Sequence, residues 1–359
     1  MMDSIWLILI YFPERFKAFY LPIQSIPMTI PMATGLSKPQ EFMIRRFTPE
    51  DAEAWDAFVA ASPMGTWMQT RRFLSYHGER FQDRSLILLN TKKQWQGILP
   101  AAVDPGEPKR VVSHPGLSYG GLIHQGDLQG EKMLCAFQEM AAYYQLAGFQ
   151  TLRYKAIPSF YHQRPSQDDL YALFRLNANR YRCDITSLID LNHRPQAGYA
   201  LKRALQQAQK NQIEVSETEC LSDIESLWLI LEDNLKRKHG ARPVHTVQEI
   251  VRLKALFPEA IRFIVGRKGT EIVAGFVLFI MPMTTHMQYS AASEVGYETY
   301  ALNPIAEYAI ALAATLGCRY FDFGISTEND GRVLNQGLYR FKGKFGSGSA
   351  LHEFFDVTL

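Results

Sequence analysis

Tyr320-Phe-Asp-Phe-Gly324, Leu334-Asn-Gln-Gly-Leu338 and Phe341-Lys-Gly-Lys-Phe-Gly346 lie close together near the end of this chain, and they decide how the rest is read. The first segment is a short aromatic strand carrying one carboxylate. Strand alternation turns Asp322 away from Phe321 and Phe323. A polar turn follows, and then Lys342 sits between Phe341 and Phe345 ahead of a glycine-rich bend. Ligands of α/β proteins collect at the carboxyl ends of strands, so a strand ending in charge and glycine is a candidate site.

Working outward, the strand Arg319–Gly324 is preceded by a helix, Leu302–Leu316, stopped by Gly317. Before that helix come a hairpin, Ile261–Arg267 with Glu271–Met281, and a further strand, His286–Ala292. The first half has the same order. Leu86–Val103 reads as a hairpin and Gly130–Gly148 as an amphipathic helix with its glycine stop. Thr151–Tyr154 reads as the closing strand. Thr48-Pro-Glu-Asp51 is a helix start. A shared order of elements with little residue identity predicts a duplicated α/β unit. The expected division is 43–180 and 181–359, with the connection at Pro158–Asp169. Residues 1–42 read as a loose extension upstream of a start at Met43. Five prolines break them up, and the apolar run Ile5–Phe12 falls short of the roughly 20 residues a bilayer needs.

At 359 residues the chain is too long for one ordinary core, and 47% hydrophobic with 21% charged residues is a globular composition. A net charge of +2 argues against a DNA-coating protein. Cys135, Cys183, Cys220 and Cys318 are far apart, with no zinc spacing, which fits reduced thiols in a cytoplasmic protein without a metal. No nucleophile elbow, phosphate loop or dinucleotide fingerprint is present.

With these elements in place, the chain from Met43 resembles the tandem GNAT-like fold of the FemAB-type peptidyltransferases. Three stretches carry the resemblance. They are the basic helix Leu201-Lys-Arg-Ala204 leading to Ile213-Glu-Val215, the strand Gln288-Tyr-Ser-Ala-Ala-Ser293, and Tyr320-Phe-Asp-Phe-Gly324 with Gly337-Leu-Tyr-Arg-Phe-Lys342. The resemblance implies an α/β fold of two units, each a mixed, twisted sheet flanked by helices. It also implies an enzyme, an acyltransferase moving an acyl or aminoacyl group onto an amine of a cell-wall, sugar or peptide acceptor. Known members attach amino acids from aminoacyl-tRNA to a peptidoglycan precursor, and relatives use acyl-CoA. Either is the expected donor substrate, with tRNA a candidate partner and no tightly bound cofactor. No stable membrane insertion is expected. The alternative is a non-catalytic ligand-binding module on a decayed transferase fold. Ser293-Glu-Val-Gly-Tyr-Glu298 is acidic where acyl-CoA enzymes hold pyrophosphate.

Lys342 is the first catalytic candidate. The resemblance assigns it this place, and a cation fixed between phenylalanines suits an oxygen that gains charge during acyl transfer. Asp322 is the second, as a base or as a carboxylate that holds the next turn. For substrate binding the candidates are Tyr289 and Ser293, at even spacing on one strand, together with Phe341 and Asn335. Arg237 and His239 stand in a basic cluster that fits either a phosphate or a solvated helix end.

Overall fold

The computed structural model describes residues 41–359, apart from the side chains of Lys238 and His239. The extension expected over residues 1–42 therefore lies almost wholly outside the described residues. The fold is mixed α/β, as expected, with helices on a ten-stranded sheet and a separate four-stranded sheet.

The order of the large sheet shows how the two halves are joined. In the second half, Ile213–Thr218, Ile261–Lys268, Glu271–Ile280 and Thr284–Ala292 form an antiparallel run. Thr284–Ala292 then pairs in parallel with Tyr320–Ile325, and the helix Leu302–Thr315 makes the crossover. The first half repeats this step. Glu107–Val112 pairs in parallel with Thr151–Lys155 across the helix Glu131–Leu146. The strand that follows each closing strand sits beside the other half. Asn179–Asp190 pairs with Tyr320–Ile325, Gly348–Thr358 pairs with Thr151–Lys155, and the two long strands pair with each other. The boundary expected after residue 180 thus falls inside the strand Asn179–Asp190.

The first-half hairpin, Leu86–Leu89 with Trp95–Leu99, belongs to the four-stranded sheet. Its apolar face shares one core with the second half. Trp55, Ile87 and Ile98 lie in the same buried cluster as Trp228, Phe263 and Phe279. Trp67 crosses between the halves, packing on Phe257 and Phe279 and donating to the Ile280 carbonyl at 2.8 Å.

Two expectations need correction. The connection expected at Pro158–Asp169 is packed against the second half at its start. Phe160 and Tyr161 are buried, and the Phe160 carbonyl accepts from Thr284 Oγ1 at 2.5 Å. The polar turn expected at Leu334–Leu338 instead opens the helix Gln336–Gly343, which carries Lys342. Its N-cap is Asn335, whose side chain accepts from the Leu338 amide.

A hairpin of Thr327–Glu328 with Val333–Leu334 carries the chain into that helix. Its turn holds Asn329, Asp330 and Gly331 at positive φ, and a Cβ on Gly331 would lie 1.8 Å from the Cys183 carbonyl oxygen. Gly331→Ala is expected to lower stability by about 1–3 kcal/mol, read as a lower denaturant midpoint. An unchanged midpoint would show that the turn can shift freely.

Burial pushes His77, His124, His162, His245 and His352 down to about 4, and His114 well below its ordinary value. Between about pH 4 and 6.5 the unfolded chain therefore binds more protons than the folded one, and stability rises with pH through that window. Urea midpoints are expected to fall steeply as pH drops from 7.5 to 4.5. A flat profile would contradict neutral, buried histidines.

Candidate active site

The two parallel strands of the second half stay together only briefly. Thr284, Thr285 and His286 pair with Tyr320, Phe321 and Asp322, and no pairing continues beyond that point. Thr284–Ala292 runs on toward Ala292, and Gly324 turns the other strand at φ +73°. A cavity of about 900 Å³ lies at this fork. Its walls come from both halves. Leu117, Ser118 and Lys155 face Asn234, Gln288 and Lys342, with Arg182, Asp184 and His352 from the exchanged strands. An irregularity opposite Val277–Leu278 gives Thr284–Ala292 one extra residue, and His286, Met287, Gln288 and Ser290 all reach the wall.

Asp322 is fully buried beneath this wall and is not part of it. Its carboxylate accepts from Tyr161 Oη at 3.2 Å, from Thr186 Oγ1 and from the Gly324 amide at 2.9 Å. His286 Nδ1 lies 2.8 Å from Oδ2. Burial on its own would raise the carboxyl. The interaction with His286 and the hydrogen bond from Thr186 outweigh burial and hold Asp322 well below the usual carboxylate range. An acid that stays ionised and sealed does not reach a substrate amine. It fixes His286, whose other ring nitrogen has no protein partner among the described residues and whose side chain lines the cavity.

Lys342 projects into the same corner. Its Nζ donates to the Gly324 carbonyl at 2.8 Å and to the Ile325 carbonyl at 2.6 Å. Burial pushes it down to about 8, with the Asp322 charge working against the shift. Two of its three N–H groups are used, and the residue lines the cavity. Lys155, also pushed down to about 8 by burial, donates to three carbonyls, those of His114, Pro115 and Leu117. Its hydrogen-bonding capacity is filled.

The other expected residues divide. Phe341 and Asn335 line the cavity with Lys342. Tyr289 faces away, with its hydroxyl 2.6 Å from His245 Nδ1 and its ring edge-on to Trp228. Ser293 lies beyond the end of its strand and caps the short helix Glu294–Glu298, accepting from the Gly296 amide at 3.1 Å. Arg237 is half-exposed and paired with Asp233 and Glu294. The side chain of His239 lies outside the described residues. Sequence reasoning missed His286, Gln288 and Ser290. Their signal was present as polar residues at alternate positions of one strand, the pattern used for Tyr289 and Ser293 one register away. Tyr161 and Thr186 gave no local signal, because distant strands bring them to Asp322.

Among the described residues, no group of three or more His, Cys, Asp or Glu side chains could hold a metal ion, and no helix is long and apolar enough to cross a membrane.

Residues 192–342 match the model of the acetyltransferase (GNAT) domain. Among solved structures the chain is similar to FemX, with a TM-score of 0.61 at 12% identity, covering 88% of this chain and 97% of that one. It is also similar to L-PGS from Bacillus licheniformis, with a TM-score of 0.57 at 14% identity, covering 88% and 93%. The C-terminal domain of a putative lysylphosphatidylglycerol synthetase from Agrobacterium fabrum gives 0.51 at 12% identity, covering 77% and 84%. No curated protein matches the chain in sequence. At these identities the structural likeness is one of fold. The parted strands thus lie in the part of the chain, residues 192–342, that matches an acetyltransferase (GNAT) domain, and the chain is similar in fold to FemX.

Proposed function

We propose that this chain transfers an aminoacyl or acyl group from an activated ester or thioester onto an amine of a cell-wall, sugar or peptide acceptor, by direct attack in the inter-half cavity. The reading rests on one observation. The ammonium of Lys342 is buried at the cavity wall, held by two carbonyls, with one N–H still unassigned. When an amine attacks the donor carbonyl, a new C–N bond forms and charge collects on the carbonyl oxygen. A fixed N–H donor in a dry corner stabilises that charge far more than water does. Holding donor and acceptor together in one cavity contributes a further part of the rate.

The turn after Thr284–Ala292 supports an aminoacyl ester as donor over acyl-CoA. The Gly296 amide there is taken by Ser293, and Glu294 and Glu298 would repel a pyrophosphate. The same turn favours the second reading, a ligand-binding module without turnover. Thermal shifts with acetyl-CoA and with alanyl-tRNA separate these readings. A shift with charged tRNA supports the first reading, and no shift with either donor favours the second. Lys342→Met is expected to lower turnover by about a hundredfold or more, with the unfolding transition retained. Turnover equal to that of the unsubstituted protein would remove Lys342 from the chemistry.

A further inference from the structure

We infer that His286 is the general base of the transfer, with Asp322 as its positioning residue. This inference rests on the transferase reading above. His286 and Asp322 are register partners on the two parallel strands, at the last pairing before the strands part. Nδ1 of His286 faces the buried carboxylate at 2.8 Å. An acceptor-only group there holds a proton on Nδ1, so that the lone pair of the neutral ring lies on Nε2. That nitrogen has no protein partner among the described residues, on a side chain that lines the cavity. The base and the cation also meet on one glycine. A Cβ on Gly324 would lie 3.4 Å from His286 Cε1, and the Gly324 carbonyl takes the Lys342 hydrogen bond. Proton acceptor and oxyanion donor are thereby fixed around one point, as acyl transfer to an amine requires.

In this step the acceptor ammonium first loses one proton to solvent. The neutral nitrogen attacks the donor carbonyl carbon, and the electron pair of the C=O bond moves onto oxygen beside Lys342. The new ammonium-like nitrogen passes a proton to His286 Nε2. The carbonyl re-forms, the bond to the leaving oxygen or sulfur breaks, and that atom takes the proton from the imidazolium. The products are one amide and one hydroxyl or thiol, and His286 returns to its starting state.

Two measurements on the full chain test this. The first needs no activity. Nitrogen-15 histidine NMR, with the His286 signals assigned by their loss in His286→Gln, is expected to show the proton on Nδ1 and a bare Nε2 at the assay pH. Asp322→Asn is expected to disturb that tautomer. A bare Nδ1, or an Nε2 that keeps its proton at the assay pH, would overturn the inference. The second is turnover with acetyl-CoA or alanyl-tRNA as donor and glucosamine or a lysine-ended peptide as acceptor. His286→Gln keeps a hydrogen-bonding group near Asp322 but accepts no proton, and it is expected to lose about a hundredfold or more in kcat. His286→Ala is expected to regain turnover when free imidazole is added, a rescue that a merely structural histidine would not show. An active protein whose His286→Gln form is equally active sinks the base alone. An unsubstituted protein with no turnover from either donor strikes the transferase reading and the base with it.

Discussion

The ionised, fully buried carboxylate of Asp322 is the constraint on which the rest of the site depends. A charge in that position is tolerated only when its oxygens are supplied with donors. Here the donors come from four places along the chain: Tyr161 from the first half, Thr186 from an exchanged strand, His286 from the neighbouring parallel strand, and the Gly324 amide from its own turn. Thr186, His286 and Gly324 stand on elements that also build the cavity, and Tyr161 ties the first half to them. Asp322 therefore acts less as a reagent than as the point where these elements are required to meet.

The strand exchange explains why the cavity lies between the halves rather than within one of them. Asn179–Asp190 and Gly348–Thr358 each leave one half and add to the sheet of the other, so the fork of the second half is walled by the first. Arg182 and Asp184 enter on one exchanged strand and His352 on the other, as neighbours in register. The shared apolar cluster beneath, from Trp55 to Ala291, makes relative movement of the halves costly, because it would expose large aromatic faces. The site is thus preorganised by packing laid down for folding.

Local pattern made much of this legible in the sequence. The helices Glu131–Leu146 and Leu302–Thr315 with their glycine stops, the hairpin Ile261–Lys268 with Glu271–Ile280, and the strand at Tyr320 follow from periodicity and turn chemistry. What was not legible depends on pairing across long separations. Nothing near Pro158–Asp169 announces that Phe160 and Tyr161 will be buried against the second half. Nor does the composition of Asn179–Asp190 announce a central strand. The placement of Tyr289 and Ser293 shows the limit of counting by twos. An extra residue in the strand puts neighbouring Met287 and Gln288 on the same wall, and the strand ends before Ser293.

Three lysines line the cavity, and burial brings Lys155, Lys342 and Lys344 each down to about 8, so titration alone does not tell them apart. Their partners do. Lys155 gives its hydrogen bonds to three carbonyls and acts as a staple for the loop His114–Leu117. Lys344 stands over the rings of Phe341 and Phe345, at 4.2 and 5.2 Å, where its charge is already met by aromatic faces. Lys342 is held by two carbonyls, enough to fix its direction and one short of filling its capacity. A group that stabilises charge only as the charge appears has to be oriented beforehand and incompletely satisfied, and of the three ammonium groups this one alone meets both conditions.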